Sequence, residues 1–380
     1  MLLLSASGAQ DMFITGNPTQ SHFISTYKQH TPFYESLVPV GTETPSTFGS
    51  LMSFRIPTDV GDFINRVCLK CELRQKGQSV PSSHIKSFVT NNLIEYVELF
   101  IGEQSIQKLT GEYIAIYHQS HARDISSYEF LYGHGSNNVK QDFRQTSSSE
   151  DNPLFLDIPL YFHNINELAI PCCALRKQSI RITIKLRDFE DAYYISELYE
   201  TALNISYIHT GIDESSFIQS SPVSHNIQQL QVSEIKIPQG VSTKNVLLNF
   251  KNPVSELFFI AHRASDRRDF VDIENIILKF NNSVVFDRDN LFLCYKQSLD
   301  NHESSPSGNT LDGGGKYCSY SFSLNPTSGL PMGSVNMSRI IHKEMKITLP
   351  SNINDDVVVR VYAVSHNVLV FSHGLAGLKF

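Results

Sequence analysis

The side chains most able to do chemistry in this sequence are histidines, cysteines and paired acids, and their spacing completes no known site. His118 and His121 stand three apart, with His134 further on. That separation would put two imidazoles on one side of a helical turn as metal ligands. Isolated, partly solvated histidines are far commoner than such a site, and they are what is expected here. Cys68-Leu-Lys-Cys71 has the CxxC form used in zinc and redox sites. It lies in the alternating run Arg66 to Leu73, where positions three apart on a strand point to opposite faces, while both chemistries need the sulfurs together. Asp287-Arg-Asp289-Asn290 opens like a calcium loop but has Phe292 and Ser298 where the glycine and the closing glutamate would stand, so the end of a hairpin is expected. Asp188 with Glu190, and Asp355 with Asp356, are the pairs a glycosidase would use, yet both sit in polar turns where solvated acids are the norm. Gly313-Gly-Gly-Lys316 lacks the Ser or Thr that follows the lysine of a phosphate loop and reads as mobile surface loop. GxGxxG after a strand, HExxH and GxSxG are absent. No catalytic, cofactor-binding or metal residue is assigned, and the chain is read as not an enzyme.

The elements that must carry these residues are bounded by composition. A chain of 380 residues is long for one ordinary core, so two domains or one large double-layered β domain is expected. With 41% hydrophobic and 18% charged residues it is globular. The net charge of -7, with no block of like charge, argues against coating nucleic acid or an anionic membrane surface. Apolar runs such as Val368 to Phe371 fall far short of the roughly 20 residues of a spanning helix. The opening Met1 to Leu4 lacks a basic flank and the length of a signal core, so the chain is read as unsecreted. The six cysteines, with Cys172 and Cys173 adjacent, show no disulfide-framework spacing. Sequons at Asn204, Asn281 and Asn336 carry little weight in an unsecreted chain.

The dominant period is two. In Ser179 to Leu186 every even position is apolar and every odd one polar, which predicts a strand burying Ile180, Ile182, Ile184 and Leu186. Further strands are predicted at Val67 to Leu73, Tyr96 to Ile101, Leu203 to His209, Val246 to Phe250, Leu257 to Ala261, Ile276 to Phe280, Met345 to Leu349 and Val357 to Val364. Only Asp191 to Thr201 and Ser87 to Leu93 read as helical, each short enough to be a connection. The order of parts occurs twice. Tyr96 to Ile106 is a strand, a turn and a strand, and so is Ile276 to Phe286; Leu168 to Pro171 precedes one strand as Gly329 to Gly333 precedes another. The copies meet near Ser215 to His225, predicting similar β domains at 1–214, with an N-terminal arm, and 215–380.

Several segments resemble the major capsid proteins of large eukaryotic DNA viruses, of the iridovirus and chlorovirus type. Gly8 to Pro18, Phe23 and Tyr27 to Phe33 are similar to that family's opening, and Leu156 to Phe162 leads through Leu168 to Pro171 into the strand at Ile180 as the family does. Tyr207-Ile-His, Phe217 and His225 to Gln231 resemble its mid-chain junction. Gly333 to Arg339, Val361 to Ala363, Asn367 to Leu369 and Gly374 to Leu378 resemble its end. The resemblance implies an all-β fold of two tandem eight-stranded antiparallel jelly rolls with short connecting helices. It implies a homotrimeric pseudo-hexagonal capsomer, assembled in the host cytoplasm, that tiles the icosahedral shell of a virion. Partners would be neighbouring capsomers, penton and minor capsid proteins, and an inner viral membrane or membrane-bound adaptors, with no direct nucleic acid and no cofactor.

The residues suit a shell. Sixteen strands of about 5 or 6 residues leave long connections for exposed contacts. Gly16-Asn-Pro18 lets an N-terminal arm turn away from its core, and Leu375, Leu378 and Phe380 would anchor the tail against a core or a subunit. The 24 Phe and 16 Tyr can fill two sandwich cores and leave tyrosines for interfaces. Two rivals remain at this stage: a minor double jelly-roll capsid component, and a carbohydrate-binding or carbohydrate-active β-sandwich with an aromatic cleft and convergent carboxylates.

Overall fold

The computed structural model describes residues 8–25, 27–75, 93–121, 153–188, 195–267, 269–302, 317–351 and 353–380. In the first half the strands are β1 (Phe33–Gly41), β2 (Leu51–Ile56), β3 (Phe63–Gln75), β4 (Ile94–Ile101), β5 (Gln104–Thr110), β6 (Pro153–Asp157), the two-residue β7 (Ile170–Pro171), β8 (Ile180–Leu186) and β9 (Ile195–Thr210). One antiparallel sheet runs β1-β9-β3-β6, with β7 also on β3, and the other runs β2-β8-β4-β5. In the second half they are β10 (Val223–Ile237), β11 (Thr243–Leu247), β12 (Pro253–Arg263), β13 (Asn275–Phe280), β14 (Ser283–Asp289), β15 (Cys318–Ser321), the two-residue β16 (Val335–Asn336), β17 (Lys343–Thr348), β18 (Val357–Ser372) and β19 (Leu375–Leu378). Their sheets run β10-β18-β12-β15, with β16 on β12 and β19 on β18, and β11-β17-β13-β14. Apart from β19, the two orders are the same strand for strand. Four-stranded sheets that exchange consecutive strands in this way, facing each other over one core, make a jelly roll, and the chain is two of them in tandem.

The repetition extends to detail. β4 and β5 are joined by the two residues Gly102 and Glu103, and β13 and β14 by Asn281 and Asn282. Gly102, Asn281 and Asn282 adopt positive φ, the geometry that two-residue hairpin loops need. Both hairpins carry a register shift two residues before the turn, at Leu99/Phe100 and at Leu278/Lys279. Each is followed by helix: α2 (Gly111–His121) after β5, and a π-helical turn (Phe292–Lys296) running into α4 (Gln297–Asn301) after β14. Among the described residues the other α-helices are α1 (Met12–Thr15) in the arm and α3 (Ile212–Ser220) between the rolls.

Alternation builds the cores. Ile180, Ile182, Ile184 and Leu186 are buried as the period predicts, each removal from water being worth about 1.5–3 kcal/mol. Every predicted strand coincides with an observed one, though Leu248 and Phe250 lie beyond the end of β11 and reach the second core from a loop. The helix expected over Asp191 to Thr201 is a correction: Ile195 to Thr201 begins β9, whose pairing with β3 overrides the helix formers of that stretch. Of the other predicted helix, Ser87 to Leu93, residues 87–92 lie outside the described residues. The strands are also longer than expected, with β9 and β18 each 16 residues.

Candidate functional site

The rolls meet through a surface that the second roll builds and the first roll covers. β12 and β18 are buried on both faces: Leu257, Phe259, Ala261, Val359, Val361 and Ala363 fill the second core, while Phe258, Ile260, Tyr362 and Val364 join the first. Helix α2 lies against that outer face, where the Tyr113 ring sits 6.0 Å from both Phe258 and Tyr362. Edge-on and tilted ring pairs of this kind add to plain burial.

Charge is buried in the same place. Glu112 is 3% exposed, and its Oε1 accepts from Arg187 Nη2 at 2.5 Å and from Arg360 Nη1 at 2.9 Å. Arg360 Nη2 also donates to Glu234 Oε2 at 3.1 Å. Burial pushes the Glu112 carboxyl up, and the guanidiniums of Arg187 and Arg360 more than reverse it, so its pKa lies below the ordinary value. Removing one partner from such a set strands a buried charge, so the network fixes how the rolls register. Backbone groups are met as well. Gln107 Nε2 donates to the Gln228 carbonyl at 3.0 Å, and Gln229 Nε2 to the Ile106 carbonyl at 2.6 Å. Below α4, His302 Nε2 donates to Glu256 Oε1 at 2.7 Å, with both side chains inside the junction.

The C-terminal tail finishes the joint. Gly374, at φ +82°, turns the chain so that β19 pairs with β18. Ala376 N donates to Gln178 Oε1 at 2.6 Å and Leu378 N to Gln104 Oε1 at 3.3 Å, both on the first roll. Of the anchors expected there, Leu378 packs on the first core, while Leu375 and Phe380 are exposed; Ala376 is the buried residue instead. The backbone pairing, more than the apolar side chains, seats this tail.

The equivalent face of the first roll has no cover from its own chain among the described residues. On β1, Val38 and Val40 turn to the core and Leu37 turns outward, 65% exposed. Around it lie Glu35, which accepts from Arg66 Nη2 at 2.5 Å and from the Ser206 hydroxyl, and half-buried Cys68 and Lys70. The helical segment equivalent to α2, Phe292–Asn301, exposes Leu299, and Leu291 just before it is exposed too.

The residues considered for chemistry are dispersed. His118 Nε2 donates to the Asp157 carbonyl at 2.8 Å, and His121 stacks on Tyr117 at 3.9 Å. Cys71 is buried in the first core and Cys68 lies on the opposite face of β3. Asp289 ends β14 and accepts from Phe292 N at 3.2 Å, starting the helical turn. Asp355 accepts from the Ser265 hydroxyl and Asp356 from Gln239 N at 2.8 Å, so both acids tie turns. His134, Glu190 and Gly313 to Lys316 lie outside the described residues. Among the described residues, the junction encloses only about 30 Å³, beside Tyr113, Tyr117 and Gln228. A cleft of about 580 Å³ near Arg55, Arg176 and Lys177 is lined by no aromatic ring among the described residues. Another of about 630 Å³ holds Glu274 and Asp289, but Tyr295 is the single aromatic among its described residues and Asp289 is engaged in capping. The junction itself was beyond sequence reasoning, because Glu112, Arg187, Glu234 and Arg360 are far apart in the chain and each looks like a solvated charge.

Known proteins agree with this architecture. Residues 21–229 match the family model for the major capsid protein N-terminus, and residues 214–377 match that of the large eukaryotic DNA virus major capsid protein. The major capsid protein of Pyramimonas orientalis virus is 27% identical over 406 residues, covering 100% of this chain and 98% of that one. That of Paramecium bursaria Chlorella virus 1 is 22% identical, covering 99% and 98%. A chain of the PBCV-1 virus capsid quasi-atomic model superposes with a TM-score of 0.77 at 17% identity, over 95% of this chain and 100% of that chain. The Faustovirus major capsid protein superposes at 0.69 and 11% identity, over 96% and 94%. The chain belongs to the major capsid proteins of large eukaryotic DNA viruses, structural proteins of the virion and not enzymes.

Proposed function

We propose that this protein is the repeating unit of the shell and works as a homotrimer, six rolls in a ring that imitates a hexagon. The observation that carries the reading is the mismatch between equivalent faces: α2 covers the outer face of β10-β18-β12 within the chain, whereas the outer face of β1-β9-β3 and the segment Phe292–Asn301 are both left over. If the internal arrangement is repeated between chains, that segment of one copy seats on the β1-β9-β3 face of the next. Such a heterologous contact closes into a ring when the rotation allows. The two rolls divide at 214/215, within the linking helix α3. Neighbouring trimers, penton and minor capsid proteins, and a membrane or its adaptors, would use the remaining surfaces, with assembly in the host cytoplasm and no catalytic, cofactor or metal role.

Light scattering behind size exclusion, with negative-stain microscopy of the peak, tests this. Three copies per particle and a six-cornered outline are expected. A strict monomer at high concentration would overturn the trimer.

A further inference from the structure

All six cysteines are among the described residues, and two of them face each other. Cys294 lies in the π-helical turn Phe292–Lys296 and Cys318 is the first residue of β15; both are 0% exposed in the second core. Their Sγ atoms are 2.8 Å apart, inside the van der Waals contact of two sulfurs and within about 0.8 Å of the ~2.05 Å of a formed bond. The other four are placed differently. Cys68 and Cys71 lie on opposite faces of β3, and Cys172 and Cys173 are neighbours in the chain.

We propose that Cys294 and Cys318 are an oxidisable pair, held as thiols in a reducing cell and joined as a disulfide once the protein meets a disulfide donor outside it. The thiolate of one cysteine attacks a sulfur of the donor and expels its first thiolate; the second cysteine then attacks the mixed disulfide and expels the other. One S–S bond is broken and one formed, the donor is reduced by two electrons to two thiols, and the two cysteine protons end on them. Because both sulfurs are buried, exchange proceeds through opening of the segment around α4 or during folding, so it is slow in the folded chain. The bond would close the chain between residues 294 and 318, across 303–316, and fasten the helical segment Phe292–Asn301 to the sheet. The pair stands independently of the trimer; only its benefit to the shell, a fixed docking segment, rests on that reading.

The test is a redox titration of the wild-type full-length chain. Protein is equilibrated in reduced glutathione alone and in excess oxidised glutathione, quenched by alkylation in denaturant and mapped by peptide mass. Oxidation is expected to remove ~2 Da and to link the Cys294 and Cys318 peptides, with the other four cysteines still alkylated. It is also expected to raise the unfolding midpoint of the wild type and to leave that of Cys318→Ala unchanged. Six alkylated cysteines in every buffer, or a link through another pair, would overturn the proposal whatever the oligomeric state.

Discussion

The two jelly rolls share strand order, a two-residue hairpin loop and the register shift just before it, but they differ in what lies on the outer face of their first sheet. In the second roll that face carries Phe258, Ile260, Tyr362 and Val364, and the nine residues from Val357 to Ser365 are buried on both sides. In the first roll it carries Leu37, Glu35, Arg66 and Lys70, and the edge strand β1 is exposed along its outward row. The same fold is thus finished in two ways, by apolar burial within the chain and by a mixed polar face, the one on which the proposed trimer would seat another copy. A permanent joint suits the first chemistry. A surface that must remain soluble before assembly suits the second, and Pro39 in the edge strand further discourages indiscriminate sheet pairing.

The contrast can be broken most severely at the joint. Phe258→Ala is expected to lower stability by about 3–5 kcal/mol in denaturant unfolding, since it opens a cavity facing Tyr113, Tyr317 and His302. Glu112→Gln is expected to cost about 3 kcal/mol, because Arg187 and Arg360 stay buried without their shared carboxylate. Since the folded pKa of Glu112 is below the unfolded one, its contribution is whole above the ordinary carboxylate range and is lost as pH falls through the folded value; wild type and Glu112→Gln should converge in acid. His225, buried beside Phe371, has its pKa lowered to about 4 by burial. Its contribution is complete above the unfolded value of ~6.5 and is lost as pH falls towards the folded one, up to roughly 3 kcal/mol, a slope that His225→Gln should flatten in pH-dependent unfolding. On the first roll's free face, Leu37→Ala should shift monomer stability by less than about 0.5 kcal/mol while weakening trimers in dilution experiments. Equal destabilisation of the monomer at Leu37 and Phe258 would erase the distinction.

Much of the fold was legible because strands with one wet side declare themselves, as Ile180 to Leu186 does, and because two hairpins repeat in order. Helix α2 was not. Gly111 to Ser120 is buried apart from Tyr117 and Gln119, so it has no polar stripe to set a helical period, and its tyrosines and isoleucines read as strand formers. Ile195 to Thr201 misled in the opposite sense: Glu197, Leu198 and Glu200 favour helix locally, and only pairing with β3 decides otherwise. The junction depends on side chains that meet across the whole chain, Glu112 with Arg360 and Gln107 with Gln228, and Cys294 with Cys318 is the same kind of encounter. Composition and spacing hold no trace of such contacts.

Hydrogen–deuterium exchange, compared between dissociated chains and assembled trimers, tests the central claim most directly. Peptides from β12 and β18 should be equally protected in both states, while β1 and the segment 291–301 should gain protection only on assembly. Protection gained at β12 and β18, or none gained at β1 and 291–301, would contradict the assignment of one face to the chain and the other to its neighbour.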